Sequence, residues 1–328
     1  MARGAAALPG PHWSQKRDEK TMTIKTPAFP SRLTLELTNQ CNYKCAMCPS
    51  RFDPGEAKGM MEPKLFKRLV DEASGHLPVA LVPFFRGESL LHPAIANLIA
   101  YAKGKGLGPV QLASNGLLLS ELMAKRLLDA GLDFISFSLD TMDELEYRRI
   151  RKGGDLPQVL RNVRRFLRLR DQGGYATTVQ VSATRTGLNQ ESMQKFIAAW
   201  QNVADRVRIY YEHSADGHTG SLPGLGQAGP QERLACQKPF SEMVVYHNGQ
   251  AALCNHDWYR DPPLGDVGRS GIQAVWQGEA YARLRGQHKD PAGLSDATCL
   301  HCDHWRVHYL ENQLVGELYL KEQSTAYA

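Results

Sequence analysis

The sequence predicts an α/β fold: an open partial (β/α)6 barrel followed by a small α+β domain. Residues 30–215 alternate between short apolar segments typical of strands and longer amphipathic segments typical of helices. Residues 216–235 are rich in Gly and Pro, as expected for a linker. Residues 236–312 contain a hairpin pattern, a short helical pattern and four of the seven cysteines, which indicates a second unit.

Six segments of the first unit have the β-branched and aromatic composition of buried strands. They are 32–38, 79–85, 109–114, 133–139, 177–184 and 206–213. The segments between them, including 62–74, 94–106 and 120–131, carry apolar residues at helical spacing. This alternation predicts parallel strands joined by right-handed crossovers. Six units are too few to close an eight-stranded barrel, so we expect an open one that binds ligands at the carboxyl ends of its strands.

The C-terminal part follows a different pattern. Residues 242–254 predict a β-hairpin that turns at Asn248-Gly249, and a short helix is expected at about 272–286. We expect residues 1–29 to form a flexible extension and residues 313–328 to form a tail after the second domain.

Composition indicates an ordinary globular protein. Apolar residues make up 42% of the chain and charged residues 22%, so extensive disorder is not expected. The net charge of +5 is compatible with an anionic cofactor or substrate but is too small to predict nucleic-acid binding. No apolar run is long enough to span a bilayer, and the N-terminal residues lack the apolar core of a signal peptide. We therefore expect a cytoplasmic protein. Met22 is an alternative to Met1 as the start of translation.

Cys41, Cys45 and Cys48 follow the first predicted strand directly, where such a barrel places an active-site loop. Three thiolates can hold three irons of a [4Fe–4S] cluster and leave the fourth iron open for a ligand that is not part of the protein. The alternative is a zinc site, but structural zinc takes four protein ligands and no fourth Cys or His lies close in sequence.

The motif around these cysteines stands as CNYKCAMC, with Met47 where many related proteins carry an aromatic residue. Together with the strand ends that follow it, this motif resembles the radical S-adenosylmethionine (SAM) superfamily. FFRGESLLHP (84–93) is similar to the family's Gly-Gly-Glu-Pro element, from which Arg86 and Ser89 depart. ASNG (113–116) and FSLD (137–140) are similar to the elements after its next two strands. The resemblance implies these SAM contacts: Gly87, Glu88, Ser114, Asn115, Ser138 and Asp140.

The resemblance also implies a reaction. A reductant such as flavodoxin or ferredoxin would reduce the cluster, SAM would be cleaved to a 5′-deoxyadenosyl radical, and that radical would take a hydrogen atom from a small-molecule substrate. His213, at the end of the sixth predicted strand, is a candidate base or substrate contact. Within the arginine-rich stretch 147–170, Arg148, Arg149 and Arg151 lie nearest the expected mouth of the barrel and are candidate contacts for an anionic partner.

Cys236, Cys254, Cys299 and Cys302 form a second set, whose spacing fits either a fully ligated [4Fe–4S] cluster or structural zinc. The surrounding sequence from 236 to 302 resembles the SPASM and twitch iron–sulfur domains of radical SAM enzymes. No cysteine follows Cys302, so the resemblance is closer to the twitch type, which implies one auxiliary [4Fe–4S] cluster.

A fully ligated auxiliary cluster implies an electron acceptor. By resemblance to twitch-type aminocyclitol and sugar dehydrogenases, we expect oxidation of a secondary alcohol on a sugar-like or aminocyclitol substrate. The alternatives are a radical SAM epimerase, an enzyme that modifies a ribosomal peptide, and a non-enzymatic metal-binding protein. All seven cysteines are assigned to clusters, which disfavours an epimerase that needs a free thiol.

Overall fold

The computed structural model describes residues 26–211, 232–309 and 316–321, and its first six strands form the wall of an open barrel. These strands are β1 Arg32–Leu35, β2 Ala80–Val82, β3 Gln111–Ser114, β4 Phe134–Ser138, β5 Thr178–Arg185 and β6 Arg206–Tyr211. They run parallel, and an isolated bridge between Leu81 and Val110 joins the β1–β2 side to the β3–β6 side. The predicted α/β partial barrel is confirmed.

Six helices cover the outside of this wall. They are α1 Pro63–Ser74, α2 Ile95–Gly104, α3 Glu121–Asp129, α4 Glu144–Ile150, α5 Leu156–Gly173 and α6 Met193–Trp200. The longest, α5, has clear sequence signals at both ends. The Asp155 side chain accepts from the Gln158 amide at its start, and Gly174 ends it with a left-handed φ of 64°. We note that no helix in the described residues is both long and apolar enough to cross a membrane.

The two faces of the wall differ in character. Val179 and Val181 of β5 and Ile209 of β6 are fully buried in the core, together with Phe166 of α5 and Trp200 of α6. Because side chains alternate along a strand, the residues between these positions point into the barrel. There the residues are polar, including Gln180, Ser182 and Arg208. The barrel therefore encloses a polar interior.

The C-terminal unit contains β7 Glu242–Val245, β8 Gln250–Ala252 and β9 Gly265–Asp266, followed by short helices. The helices are α7 Val267–Ser270, α8 Ile272–Trp276, α9 Glu279–Lys289 and α10 Ala297–His301. The predicted hairpin forms, with Gly249 at a φ of 89° in its turn. The predicted single helix at 272–286 is instead divided into α8 and α9 at Gly278, where an added Cβ would lie 3.1 Å from two backbone carbonyls.

Both edges of the barrel are extended by strands from far along the chain. β7 pairs in parallel with β1, so the C-terminal hairpin continues the barrel sheet. At the other edge, β10 (Gly316–Leu320) pairs antiparallel with β6, although residues 313–328 are predicted as a tail. The edge strands of an open barrel have unpaired backbone groups, which explains why both edges recruit a further strand. The predicted extension 1–29 and linker 216–235 lie largely outside the described residues.

Candidate active site and auxiliary cysteine site

The three N-terminal cysteines lie on the loop that follows β1, as predicted. Cys41 is exposed, and Cys45 and Cys48 are partly buried. Each sulfur has a polar neighbour from the protein. The Tyr43 amide lies 3.4 Å from Cys41 Sγ, Arg151 Nη1 lies 3.7 Å from Cys45 Sγ, and Ser50 Oγ lies 3.0 Å from Cys48 Sγ. Donors to sulfur are what cluster thiolates require, so this set fits a [4Fe–4S] cluster with three protein ligands.

The cysteine loop is held on two sides by backbone hydrogen bonds. The Lys44 and Ala46 amides donate to the carbonyls of Lys152 and Ile150, at the end of α4. On the other side, the Glu88 amide donates to the Gln40 carbonyl at 2.8 Å. The loop is therefore positioned by the segments that follow β2 and β4.

Gly87 is required for this close approach. A Cβ at Gly87 would overlap the carbonyl oxygens of Thr38 and Gln40 and would lie 3.0 Å from the Gln40 amide nitrogen. The sequence predicts Gly87 as a SAM contact that allows close backbone approach. In the structure, the backbone of Gly87 lies close to the backbone of Thr38 and Gln40, which lead into the cysteine loop.

We expect Gly87→Ala to displace the cysteine loop, because the added methyl group overlaps backbone atoms that cannot rotate away. Overpacking of this kind costs about 1–3 kcal/mol. The measurements are the thermal unfolding midpoint and the iron content of reconstituted protein, and both should fall. Gly286→Ala on α9 is the matched control, because an added Cβ there meets nothing within 4 Å and alanine favours a helix. An equal loss of iron in both variants would contradict the role of Gly87 in positioning the cysteine loop.

Glu88, Ser114 and Asn115, three of the predicted SAM contacts, come together behind the loop. The Ser114 hydroxyl donates to one Glu88 carboxylate oxygen at 2.9 Å, and the Asn115 amide donates to the other at 2.8 Å. The Leu90 amide also donates to Glu88. Burial raises the pKa of Glu88, while these three donors lower it. The Glu88 carboxylate thus connects the segment after β2 to the end of β3. A contact between the Glu88 segment and SAM stays a prediction.

Asp140 and Arg151 form a buried ion pair beside the cysteine loop. Arg151 Nε donates to Asp140 Oδ2 at 2.5 Å, and the other carboxylate oxygen accepts from the Thr184 amide at 2.7 Å. Asp140 is fully buried and has a left-handed φ of 69°, an uncommon conformation for a residue with a side chain. Its carboxylate is engaged with protein donors, and it holds Arg151 against Cys45. By contrast, Arg148 pairs with Glu144 on the surface.

Ser138, another predicted SAM contact, is partly exposed at the end of β4 and pairs with Ser182 in the sheet. His213 lies outside the described residues, so its role stays a prediction. The described end of β6 is Tyr211, whose hydroxyl lies 3.4 Å from Glu317 of β10.

Arg86 lies at the centre of a network of hydrogen bonds, although the sequence analysis names it only as a departure from the family motif. Its guanidinium makes two bonds to Glu36, at 2.6 and 2.8 Å, and further bonds to Glu56 and to the Trp258 carbonyl. It lies 4.1 Å from the ring centroid of Tyr246. Arg86 is 5% exposed, and its paired acids offset the cost of burying its charge. Arg86 therefore links the end of β1, the segment after β2 and the C-terminal unit. The sequence signal that could have identified Arg86 is an arginine at a position where the family motif has glycine.

The four C-terminal cysteines line one common pocket. Cys236 precedes β7, Cys254 follows β8, and Cys299 and Cys302 lie on α10 and just after it. Arg233 holds this end of α10 by donating to the carbonyls of Cys299 and Cys302, at 2.7 and 3.0 Å. The tertiary structure thus joins three separate segments around the pocket.

Each of these sulfurs also has a nearby nitrogen. The His256 amide lies 3.5 Å from Cys254 Sγ, a His288 ring nitrogen 3.4 Å from Cys299 Sγ, and a His308 ring nitrogen 3.8 Å from Cys236 Sγ. The backbone of His304 forms a hydrogen bond with the Cys302 thiol.

Burial raises the pKa of the Cys236 thiol to about 12 and raises that of Cys254 as well. Binding of metal to these thiols would therefore release protons. Within the described ranges, no three Cys, His, Asp or Glu side chains converge at the spacing of a single metal ion. The four thiols line one pocket, and this donor set fits a cubane cluster.

Curated relatives with similar sequences include two named as cyclases. The chain is 27% identical over 220 residues to GTP 3′,8-cyclase of Chlorobaculum tepidum, covering 65% of this chain and 64% of that protein. It is 32% identical over 133 residues to a probable GTP 3′,8-cyclase of Methanococcus maripaludis, covering 40% of this chain and 44% of that protein. The match thus spans less than two thirds of the length of these relatives.

Solved structures with a similar fold include one in complex with AdoMet and one bound to a precursor peptide. BtrN in complex with AdoMet and 2-DOIA matches with a TM-score of 0.56 and 19% identity, over 83% of this chain and 92% of that chain. SuiB of Streptococcus suis bound to precursor peptide SuiA matches with a TM-score of 0.66 and 15% identity, over 86% of this chain and 71% of that chain. At these identities the likeness establishes the fold alone.

Two family models match the chain. The radical SAM superfamily model matches residues 35–199, from the end of β1 into α6, and this range includes all three cysteines of the first loop. The model of the SPASM iron–sulfur cluster-binding domain matches residues 236–303, which include the four C-terminal cysteines. The first match alone covers half of the chain. This protein therefore belongs to the radical SAM superfamily and carries a C-terminal SPASM iron–sulfur domain.

Proposed function

We propose that this radical SAM enzyme oxidises a secondary alcohol of a sugar-like or aminocyclitol substrate to a ketone. The observation that carries the proposal is the pocket lined by Cys236, Cys254, Cys299 and Cys302. Four thiols with a nitrogen beside each sulfur are a complete ligand set for an auxiliary [4Fe–4S] cluster, which suits electron transfer rather than substrate binding.

The residues of the first loop have separate tasks in this proposal. Cys41, Cys45 and Cys48 would hold the cluster, and Gly87 would let the loop lie against the segment after β2. Asp140 would keep the Arg151 guanidinium at Cys45. Loaded with clusters and SAM, the site supplies an electron and a 5′-deoxyadenosyl radical.

The overall oxidation balances as follows. The substrate would lose its carbinol hydrogen atom to the 5′-deoxyadenosyl radical, its hydroxyl proton to a base, and one electron, which leaves a C=O bond in the product. Cys236, Cys254, Cys299 and Cys302 would hold the auxiliary cluster that could accept this electron. His213 is our proposed base. The electron for SAM cleavage would come from a reductant such as flavodoxin or ferredoxin, and we propose a cytoplasmic location, where such proteins are present.

Three other reactions compete with this proposal. An epimerase would need a thiol that returns a hydrogen atom, and all seven cysteines have cluster-site assignments. Peptide modification has support from the fold of SuiB, and cyclisation of a nucleotide has support from the sequences of the GTP 3′,8-cyclases. Membership of an enzyme superfamily disfavours the non-enzymatic alternative.

The test uses full-length protein reconstituted under anaerobic conditions, with SAM, dithionite and a panel of sugars and aminocyclitols deuterated at their carbinol carbons. We expect deuterium in 5′-deoxyadenosine and a product lighter than its deuterated substrate by one deuterium and one hydrogen atom. The measurement is mass spectrometry of both products.

Two of the competing reactions have their own signatures: epimerisation with this panel, and cyclisation when GTP replaces the panel. Epimerisation replaces the carbinol deuterium with hydrogen from ordinary water, so the recovered sugar has lost its deuterium but still carries an alcohol. Cyclisation gives an isomer of the substrate. Either result, or 5′-deoxyadenosine formation that no alcohol of the panel stimulates, would contradict the proposed oxidation.

A further inference from the structure

The barrel face formed by β3 to β6 carries arginines and no carboxylate. The register pairs Gln180 with Arg206 and Ser182 with Arg208, so both arginines share the inward face with these polar residues. The other inward positions of the four strands, from Gln111 of β3 to Tyr210 of β6, carry small, uncharged polar or aromatic side chains. None is Asp or Glu, so no strand residue of this face neutralises the two guanidinium groups.

The neighbours of the two arginines are aromatic rings and an amide. Arg206 lies 5.8 Å from the Phe134 ring centroid, and Arg208 lies 5.3 Å from that of Tyr210. The Gln180 side-chain amide lies 3.0 Å from Ser136 Oγ and 3.5 Å from the Tyr210 hydroxyl. Cation–π contacts hold a guanidinium without neutralising it, so its positive charge remains available to a ligand.

The facing side of the barrel does not supply the missing negative charge. The two inward carboxylates of β7 and of the segment after β1 are already paired: Glu242 with Lys238 at 3.3 Å, and Glu36 with Arg86 at 2.6 Å. A further inward arginine, Arg32 of β1, bonds to the Gln111 carboxamide at 3.4 Å. Arg32 also lies opposite Glu242 in the β1–β7 register. Among the described residues, no ion pair joins Arg206 or Arg208 to a carboxylate.

The position of this face is suitable for a substrate. Arg208 pairs with Ser182, which in turn pairs with Ser138, so the three lie in one row across β4, β5 and β6. Adjacent strands are about 4.8 Å apart, which places the Arg208 backbone about 10 Å from Ser138, a predicted SAM contact. In the same rows, Leu318 and Leu320 of β10 are 48% and 62% exposed, so this edge is open to solvent.

We propose that the substrate carries an acid group, a phosphate or a carboxylate, which Arg206 and Arg208 bind inside the barrel. This inference rests on the proposed function for the reaction and narrows its substrate class. A guanidinium binds such oxygens through charge-assisted hydrogen bonds, and Gln180 and Ser182 add groups that can bond to hydroxyls. An amine-bearing aminocyclitol would meet like charge at this face, so an acidic sugar-like substrate is favoured over it.

The test measures binding without turnover. Full-length protein, reconstituted with iron and sulfide and saturated with SAM but given no reductant, is titrated by calorimetry with glucose 6-phosphate, inorganic pyrophosphate, glucose and glucosamine. We expect the two anions to bind more tightly than glucose, and glucosamine to bind most weakly. In Arg206→Gln/Arg208→Gln, glucose 6-phosphate should bind at least about tenfold more weakly, as expected for losing charge-assisted hydrogen bonds.

Two variants control for folding and for charge. Arg269→Gln removes an arginine whose side chain is 89% exposed, and it should bind the anions as the parent protein does. Arg206→Lys/Arg208→Lys should recover part of the lost affinity. Equal binding of the neutral, cationic and anionic probes, absence of binding by both anions, or full anion binding in the double Gln variant would overturn the inference. Because no reductant is present, these results are independent of the oxidation assay.

Discussion

Replacing Cys41, Cys45 and Cys48 together by alanine should abolish reductive cleavage of SAM. The three thiols lie on one loop and are the only cysteines in the segment matched by the radical SAM model. Without them no cluster can offer an open iron to SAM, so 5′-deoxyadenosine should fall to the level of a reaction without enzyme. The measurement is chromatography of 5′-deoxyadenosine after incubation with SAM and dithionite.

Iron content shows whether the variant has lost one cluster or its whole fold. Reconstituted parent protein should hold about eight irons per chain and the triple variant about four, as two [4Fe–4S] clusters require. Ser50→Ala is a suitable control, because it removes the hydroxyl 3.0 Å from Cys48 Sγ and leaves all three thiols. SAM cleavage that persists in the triple variant would show that the cluster assignment is wrong.

Replacing Cys299 and Cys302 by alanine should separate SAM cleavage from product formation. These residues complete the four-thiol pocket, while the loop that bears Cys41 lies elsewhere on the barrel. We expect about four irons per chain to remain, 5′-deoxyadenosine still to form, and the oxidised product to disappear because its electron has no acceptor. The measurements are iron analysis and mass spectrometry of the substrate and product.

The control for this variant must report on the barrel as well as on the pocket. β7 pairs with β1, so collapse of the C-terminal unit would also disturb the first cysteine loop. Circular dichroism and retained SAM cleavage together show that the barrel is intact. Oxidised product at the parent rate would exclude the auxiliary cluster as the electron acceptor, and one equivalent of zinc in the parent pocket would exclude the cluster itself.

The strand and helix alternation was predictable because it depends on local periodicity. All six predicted barrel strands form, and the first four are shorter than expected. The first, for example, extends only over Arg32–Leu35 of the predicted 32–38. After Leu35 the chain turns into the cysteine loop, where Thr38 and Gln40 bond to other loop segments instead of continuing the ladder. Apolar pattern marks where a strand lies, but the competing bonds of a tightly packed loop decide where it ends.

The candidate site was predictable only in part. The spacing of Cys41, Cys45 and Cys48 identified the first loop. The motif comparison named Glu88, Ser114 and Asn115 as SAM contacts but did not predict that they bond to one another. The partners of Asp140 and Arg86 could not be predicted in this way. Arg86 meets Glu36 from 50 residues away and the Trp258 carbonyl from 172 residues away. Partners at such separations are chosen by the fold, since no local pattern records them.

Local sequence patterns predicted the barrel class and the division of seven cysteines into three and four, because both depend on residue spacing. The superfamily was predicted from the resemblance of several motifs to those of a known family. Only the tertiary structure decided that β7 and β10 complete the two edges of the barrel, and that the second set of cysteines lines one pocket. It also decided that Arg206 and Arg208 face an interior without a strand carboxylate to neutralise them. The physical reason is the same in each case. Edge strands and buried charges take whichever partners the folded chain brings near, and those partners are distant in sequence.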